Sequence, residues 1–329
     1  MKLLVTGGAG YIGSVVAHQL LEADHEVVGF DNLSKGYERA VPEEARFIEA
    51  DLLDSEGLKD VLAQGFEGVL HFAALSLVGE SVEQPERYYR NNVCGTLNLL
   101  EAMGEAGVQR LVFSSSAAVY GEPEEVPIAE SSPPLPSNPY GASKLAVDRM
   151  IGAVAKARGL AATSLRYFNV AGASGRFGEA HEPETHLIPL VLRAAGKGGS
   201  VKIFGTDYPT PDGSAIRDYI HVEDLGRAHL LALGGARPGE HRVYNLGNGA
   251  GFSVMEVIEA ARRVTGRSIE AVESPRRPGD PPVLVASSEK IRVELGWEPE
   301  KPELETMISD AWSWLRTYSY EYAPEFIHD

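Results

Sequence analysis

The stretch SNPYGASK contains a tyrosine and a lysine at the spacing that puts two side chains on the same face of a helix. Tyr140 and Lys144 are four residues apart, so a helix places both side chains on the same side. Pro139 suits the first helical position, and Ser137 or Asn138 suits the cap, which predicts Tyr140 in the first turn. The positive end of the helix and the nearby ammonium group both favour an anion there.

The chemistry that this pair suggests is removal of a proton by tyrosine. A free phenol has a pKa of about 10, and lowering it to about 7 takes about 4 kcal/mol. A helix end, a close lysine and a bound cationic group together can supply that energy. We therefore predict that Tyr140 is a general base; the alternative is an exposed pair on a solvated helix.

A glycine-rich turn near the start predicts dinucleotide binding. The segment LLVTGGAGYIGSVVAHQLLEADHEVVGFDN has the pattern strand, turn, helix, strand, and Gly7, Gly8, Gly10 and Gly13 lie in the turn. Such glycines let the backbone approach a pyrophosphate at a helix N-terminus. Asp31 follows at the end of the second strand, where a carboxylate accepts hydrogen bonds from a ribose diol. A 2′-phosphate would meet a like charge there, which favours NAD over NADP; the alternative is a tight turn without a ligand.

Three consecutive serines in VFSSSAAVYG add a hydroxyl group to the expected site. They end a predicted strand, and open parallel sheets bind their ligands at the carboxyl ends of strands. One hydroxyl can therefore hydrogen-bond the oxygen that Tyr140 deprotonates. The spacing does not choose among Ser114, Ser115 and Ser116.

The elements that must position these residues alternate between short apolar strands and amphipathic helices. This alternation predicts a Rossmann-type, doubly wound parallel sheet with a smaller mixed α/β C-terminal substrate domain. We assign residues 1–171 to the NAD-binding domain, rejoined by about residues 218–247, and residues 172–329 to the substrate domain. The predicted strands of the first domain are KLLVTG, EVVGFD, RFIEAD, GVLHFAA, RLVFSSS and ATSLRYF.

Bulk composition excludes several classes of function. The 329 residues have a net charge of −17, which argues against nucleic-acid or anionic-membrane surfaces. The single cysteine, Cys94, fits a reducing compartment, and we find neither an export signal nor a long apolar span, so we expect a cytoplasmic protein. None of the nine histidines forms a close metal-binding pair, so we expect no metal site.

The motifs TGGAGYIG, SSSAAVYG and YGASK together resemble the extended short-chain dehydrogenase/reductase family. Within that family, the stretches HFAALSLVGESVEQPERYYRNNVCGT, RYFNVAGA, IFGTDYPTPDGSAIRDYIHVEDL, YNLGNG and PRRPGD are similar to the UDP-glucose 4-epimerases over essentially the whole chain. The resemblance implies a homodimer with tightly held NAD that interconverts UDP-galactose and UDP-glucose. The implied route is oxidation at C4 to a 4-keto sugar, rotation and re-reduction.

The resemblance also assigns residues. It implies that Tyr140 is the base, that Lys144 holds the nicotinamide ribose, and that Ser116 contacts the sugar 4-oxygen. The implied cofactor-binding residues, in addition to Tyr140 and Lys144, are Gly7, Gly10, Tyr11, Ile12, Gly13, Asp31, Asn32, Ser34, Asp51, Leu52, Phe72, Ala73, Ala74, Asn91, Ser114 and Tyr167. The implied substrate-binding residues, in addition to Ser116 and Tyr140, are Asn169, His186, Leu187, Phe204, Arg217, Tyr219, Arg277, Asp280 and Leu284.

Three positions depart from the pattern of many family members. Ser76 replaces a lysine near the cofactor diphosphate, so we expect NAD to be held less tightly. His186 stands where many members have an asparagine. Leu284 is intermediate between the bulky tyrosine that excludes N-acetylhexosamines and the smaller residue that admits them.

Other functions stay open at this level. The chain is alternatively an epimerase that acts also or mainly on UDP-N-acetylhexosamines or another UDP-sugar. A nucleotide-sugar dehydratase is disfavoured because Ala117 and Ala118 stand where those relatives carry a carboxylate. A regulatory protein that senses NAD without turnover is the non-enzyme alternative, but it would be expected to lose Tyr140 or Lys144. Tyr88, Tyr89 and residues 97–100 are the expected dimer face.

Overall fold

The main sheet of the computed structural model contains seven parallel strands, and the structure describes residues 1–180, 182–277 and 280–322. The last residues of the predicted substrate domain, 323–329, lie outside this description. The strands of the described residues are β1 (Lys2–Thr6), β2 (Glu26–Asp31), β3 (Arg46–Glu49), β4 (Gly68–His71), β5 (Arg110–Ser116), β6 (Ala161–Tyr167), β7 (Asn169–Ala171), β8 (Ser200–Phe204), β9 (Ile216–Arg217), β10 (Tyr219–His221), β11 (His241–Leu246), β12 (Phe252–Ser253), β13 (Glu270–Ser274) and β14 (Val283–Leu284).

Helices cover both faces of this sheet. The α-helices of the described residues, in both layers of the molecule, are α1 (Tyr11–Glu22), α2 (Ser55–Leu62), α3 (Val78–Glu83), α4 (Pro85–Tyr88), α5 (Gly95–Ala106), α6 (Pro139–Arg158), α7 (Leu187–Lys197), α8 (Val222–Gly235), α9 (Val254–Thr265), α10 (Glu289–Leu295) and α11 (Leu304–Tyr322). One buried apolar cluster joins α1 and α8 to one face, and a second joins α2, α5 and α6 to the other. None of the described helices combines the length and apolar character needed to cross a membrane.

The strand order is β11-β6-β5-β4-β1-β2-β3, which confirms the predicted doubly wound fold. The order reverses direction between β1 and β4, and ligands of such sheets bind at that reversal, beyond the carboxyl ends of the strands. β11 extends the sheet beside β6, although it follows the sheet's other strands by many residues.

A second, smaller layer follows β6. Its small sheets pair β7 with β10, β8 with β13, and β12 and β14 with β9. Helices α7, α9 and α11 enclose its own apolar cluster, which contains Met307, Ile308 and Trp312. The tryptophan therefore packs in the core, as its helical spacing indicates.

Residues 86–106 do not form one continuous α-helix. A π-helical turn at Tyr89–Cys94 separates α4 from α5, and such turns often occur at functional sites. The sequence did not predict this turn. Cys94 is exposed, and Tyr88, placed on the expected dimer face, is fully buried.

The helix that carries Tyr140 and Lys144 begins as predicted. Pro139 is its first residue, and the side chain of Asn138 accepts a hydrogen bond of 2.9 Å from the backbone N–H of Gly141. The cap is therefore Asn138 and not Ser137. It fixes the start of α6, and with it the position of Tyr140 in the first turn.

Candidate active site

A single large cavity lies over the carboxyl ends of the main strands and continues beneath the second layer. Its volume is about 1090 Å³, which is large enough for two nucleotides side by side. The glycine turn lines one end, and Arg217 and Arg277 line the other. The Tyr140 helix lies between them.

The glycine turn is built for close backbone approach. Gly7 has a φ of +74°, and a Cβ on it would lie 2.6 Å from the backbone nitrogen of Ala73. A Cβ on Gly13 would overlap the carbonyl oxygen of Gly7. Side chains are therefore excluded where the pyrophosphate must reach the N-terminus of α1, and the first turn of that helix has no acidic residue. This cradle fits NAD.

Asp31 ends β2 beside the turn. Its carboxylate accepts hydrogen bonds from the backbone N–H groups of Ala9 at 3.1 Å and Leu33 at 2.9 Å. Burial raises the pKa of this carboxyl group, and the backbone donors oppose that rise. The carboxylate lines the cavity, where it can receive a ribose diol.

Each of the three serines has a different partner. The Ser114 hydroxyl hydrogen-bonds the hydroxyl of Tyr167, and the Ser115 hydroxyl donates to Asp148 at 3.2 Å. The Ser116 hydroxyl accepts a hydrogen bond of 3.2 Å from the backbone N–H of Ala118, and it lies close enough to the Tyr140 phenol to lower the pKa of that phenol. The structure thus selects Ser116 as the hydroxyl nearest the proposed chemistry, which is the residue that the resemblance implied.

Lys144 lies deeper than its partner Tyr140. Its side chain is buried, and Nζ donates a hydrogen bond of 2.7 Å to the Ser114 carbonyl and lies 6.0 Å from the centre of the Tyr140 ring. Burial lowers the pKa of Lys144 to about 7, although the Asp148 carboxylate opposes that change. Burial also raises the pKa of Tyr140, and the Ser116 hydrogen bond only partly offsets this. The protein groups alone therefore do not make the phenol acidic, and the positive charge of a nicotinamide ring has to contribute.

A buried ion pair behind Lys144 was missed by sequence reasoning. Asp148 lies one turn further along α6 and pairs with Arg166 of β6 at 2.9 Å. Arg166 also donates a hydrogen bond of 3.0 Å to the Tyr120 hydroxyl. The i,i+4 spacing from Lys144 to Asp148 was the one sequence feature that could have pointed to Asp148. The contacts of Asp148 with Arg166 and Ser115 hold α6 in register against β6 and β5.

Arginines form the far wall of the cavity. Arg217 makes an ion pair with Asp280, and the guanidinium of Arg277 lies 4.0 Å from the centre of the Phe204 ring. Guanidinium groups suit a diphosphate because they offer paired donors in a fixed plane. Leu284 lines the same part of the cavity.

Most predicted site residues line this one cavity. The predicted substrate residues that do not are Leu187, Phe204 and Tyr219. Tyr219 is buried in the core of the second layer, with its ring centre 6.5 Å from that of Phe252. Leu187 packs against the same core, and the Phe204 ring packs against the guanidinium of Arg277, which lines the cavity.

His186 lies at the cavity wall between two carboxylates that sequence reasoning did not single out. Its Nδ1 is 3.0 Å from Glu184 and 3.3 Å from Glu179. Burial lowers the pKa of the imidazole, but the two carboxylates outweigh burial and raise it to about 11. His186 also occupies the N-cap position of α7, where its side chain makes no hydrogen bond to the helix.

The sequence pattern of the NAD dependent epimerase/dehydratase family matches residues 3–247, well over half of the chain. The chain belongs to this family. Family membership confirms the resemblance drawn from the motifs, and with it NAD as the cofactor and an epimerase, which is an isomerase, as the kind of enzyme.

Members of the family with similar sequences and structures carry more specific names. A UDP-glucose 4-epimerase of Corynebacterium glutamicum is 58% identical over 95% of each chain. The crystal structure of UDP-glucose 4-epimerase from Brucella ovis in complex with NAD is 43% identical, covers 97% of this chain and 98% of its own, and has a TM-score of 0.92. The enzyme of that name from Bifidobacterium longum, in complex with NAD+ and UDP, is 36% identical, covers 99% and 100%, and has a TM-score of 0.91.

Proposed function

We propose that the chain interconverts UDP-galactose and UDP-glucose at C4 of the hexose. One observation favours this function above others: Tyr140, Ser116 and Lys144 lie between a dinucleotide cradle and an arginine wall in one cavity. A UDP-sugar bound there would have the base Tyr140 next to C4 of the hexose, and Arg217 and Arg277 next to its diphosphate. The similarity to UDP-glucose 4-epimerases supports the same substrate.

The proposed roles follow from the positions of the side chains. The Tyr140 phenolate oxygen takes the proton of the sugar 4-hydroxyl, and Ser116 hydrogen-bonds the same oxygen. Lys144, held by the Ser114 carbonyl, binds the nicotinamide ribose and adds positive charge near the phenol. NAD, when bound, supplies reversible hydride acceptance at C4.

Inversion at C4 requires that the oxidised sugar turn over within the site. Binding energy must then lie in the uridine diphosphate and not in the hexose, so that both faces can be presented. Arg217 and Arg277 supply that energy through the diphosphate, and Asn169, His186, Asp280 and Leu284 complete the substrate wall. The cofactor wall comprises Gly7, Gly10, Tyr11, Ile12, Gly13, Asp31, Asn32, Ser34, Asp51, Leu52, Phe72, Ala73, Ala74, Asn91, Ser114 and Tyr167.

The test is a panel of sugars given separately to the purified chain. UDP-galactose, UDP-N-acetylglucosamine and UDP-glucuronate are each incubated, and the product sugars are resolved by chromatography. We expect conversion of UDP-galactose to UDP-glucose until the two sugars reach equilibrium. Absence of turnover with every sugar, with NAD still bound, would favour the NAD-sensing alternative.

A second candidate, epimerisation of UDP-N-acetylhexosamines, is supported by Leu284. This side chain lines the substrate end of the cavity and is smaller than a tyrosine. A faster rate with UDP-N-acetylglucosamine than with UDP-galactose would make it the main activity. A dehydratase lacks support because Ala117 and Ala118, which line the cavity beside Ser116, offer no carboxylate.

We also propose a cytoplasmic homodimer with a domain division at residues 171 and 172. Tyr89, Leu97 and Val82 support the dimer because they are large apolar side chains that stay 42%, 42% and 63% exposed on neighbouring helices. Sedimentation of the purified chain would give about twice the monomer mass. A sedimenting monomer at micromolar concentration would contradict the dimer.

A further inference from the structure

The segment between β7 and α7 brings together two glutamates and a histidine. The ligand atoms of Glu179, Glu184 and His186 all lie within 4.8 Å of one another. Tetrahedral zinc with nitrogen and oxygen ligands holds them about 3.4 Å apart. The distances of 3.0 Å and 3.3 Å from Nδ1 of His186 to the two carboxylates match that separation without rearrangement.

Glu184 gives a second, independent indication of a ligand. Its side chain is fully buried, and one carboxylate oxygen, Oε1, accepts hydrogen bonds of 2.7 Å from the N–H groups of Thr185 and His186. The other oxygen, Oε2, is buried and has no hydrogen-bond partner. Since both oxygens belong to one carboxylate, the unpartnered oxygen lies beside the cluster. A buried carboxylate oxygen without a partner is costly, and a bound cation would remove that cost.

The donor atoms of the cluster suit a divalent cation. One imidazole with two carboxylates is a ligand set that zinc accepts, and three protein ligands leave a position for water.

We propose that Glu179, Glu184 and His186 form a binding site for a divalent cation of the zinc class. The spacing of the histidines predicted no such site because two of the ligands are glutamates, which the histidine pattern does not include. The cation would join Glu179 and Glu184 to His186 at the N-terminus of α7, at the edge of the substrate cavity. Its role would be to hold that wall in place, whichever sugar the enzyme takes.

Direct metal binding tests the site without measuring turnover. Untagged protein with its NAD is stripped with a chelator, dialysed, and titrated with Zn²⁺ by calorimetry, and the metal retained after gel filtration is counted by mass spectrometry. We expect one equivalent of tightly bound Zn²⁺ per chain. A wild-type chain that retains no more Zn²⁺ than the Glu184→Gln variant would overturn the proposal.

Three variants remove one ligand each: Glu184→Gln, Glu179→Gln and His186→Asn. Each is expected to weaken Zn²⁺ binding by more than about 100-fold. The matched control is Glu182→Gln, which makes the same change in the same segment at a side chain that is 48% exposed and paired with Arg193. It is expected to bind Zn²⁺ like the wild type, and equal loss in the control would overturn the proposal.

Folding of the variants is checked by their NAD content and circular dichroism. If Glu184→Gln fails to fold, His186→Asn decides the question, because an asparagine caps a helix well at that position. A folded His186→Asn variant with unchanged Zn²⁺ affinity would overturn the proposal. Because metal content is measured apart from epimerisation, failure of the proposed sugar chemistry leaves this test intact.

Discussion

The two ends of the cavity are built from different kinds of structure. The cofactor end consists of strand ends and helix N-termini of one seven-stranded sheet, where backbone groups and buried side chains hold their positions. The substrate end consists of two-residue strands and loops, on which Arg217, Asp280 and Leu284 stand. The rigid end suits chemistry that needs fixed geometry, and the loop-built end suits a sugar that must turn over.

The largest effect is expected where the two ends meet. Tyr140→Phe removes the proposed base without changing the shape of the wall, so kcat should fall by about 10²- to 10⁴-fold. NAD content should stay at the wild-type level because the cradle is separate. The rate of UDP-galactose turnover measures kcat, and the NAD released on denaturation measures the NAD content. The control, Tyr89→Phe at a side chain that is 42% exposed, should be fully active; near-normal kcat in Tyr140→Phe would reject the base.

The next largest effect is on the free energy of unfolding, which depends on pH because the charged form of Lys144 is buried at the cofactor end. Burial lowers its pKa from 10.5 to about 7, so the unfolded chain binds more protons between these values. The stability contributed by this group therefore rises with pH across that window, by at most about 1.4 kcal/mol per pH unit. Urea unfolding of the cofactor-free chain at several pH values measures this.

Lys144→Met should remove that rise, because methionine has no charge to desolvate. Lys156→Met, an exposed position on the same helix, is the control and should keep the wild-type slope. Equal slopes in Lys144→Met and wild type would show that Lys144 is not the buried charge that we describe.

Substitutions at the substrate end of the cavity should weaken substrate binding. Arg217→Ala should raise the KM for UDP-galactose by roughly 10- to 100-fold, since a charged hydrogen bond contributes about 1.5 to 3 kcal/mol. NAD content should be unchanged. Steady-state kinetics measures KM and kcat, and Arg263→Ala, at a side chain that is 60% exposed, is the control. Loss of NAD in Arg217→Ala would contradict the separation of the two ends.

The smallest effect is expected at the rim of the cofactor end. Ser76→Lys adds a cation at the cavity wall and should slow the release of NAD by up to about fivefold, the usual limit for an exposed pair. Dialysis followed by absorbance of the retained cofactor measures this. Ser131→Lys, in an exposed loop, should release NAD like the wild type. Retention of stoichiometric NAD by the wild-type protein through extensive dialysis would contradict the expectation that Ser76 weakens NAD binding.

Much of the cofactor end could be predicted from the sequence. The strands before the glycine turn and before the serines were assigned to within a residue or two, and Pro139 marked the start of α6. These features depend on short-range sterics and on the period of apolar residues, both of which are local. The π-helical turn at Tyr89–Cys94 was missed because its residues have no distinctive local pattern.

The substrate end was harder to predict because its residues meet only across long stretches of chain. Tyr219 was expected in the site, yet its side chain is buried in the second layer, while Arg217, two residues earlier, reaches the cavity. No periodicity distinguishes the two in strands this short. The choice depends on which neighbour each side chain packs against.

The sequence by itself determined the doubly wound sheet, the glycine turn with Asp31, and the helix that presents Tyr140 and Lys144. The tertiary structure alone decided which residue each serine contacts, that Asp148 and Arg166 form a buried ion pair next to Lys144, and that Glu179 and Glu184 lie beside His186. The physical reason is range: backbone conformation follows from neighbours along the chain, whereas hydrogen bonds and buried charges are settled by residues that folding brings together from distant segments.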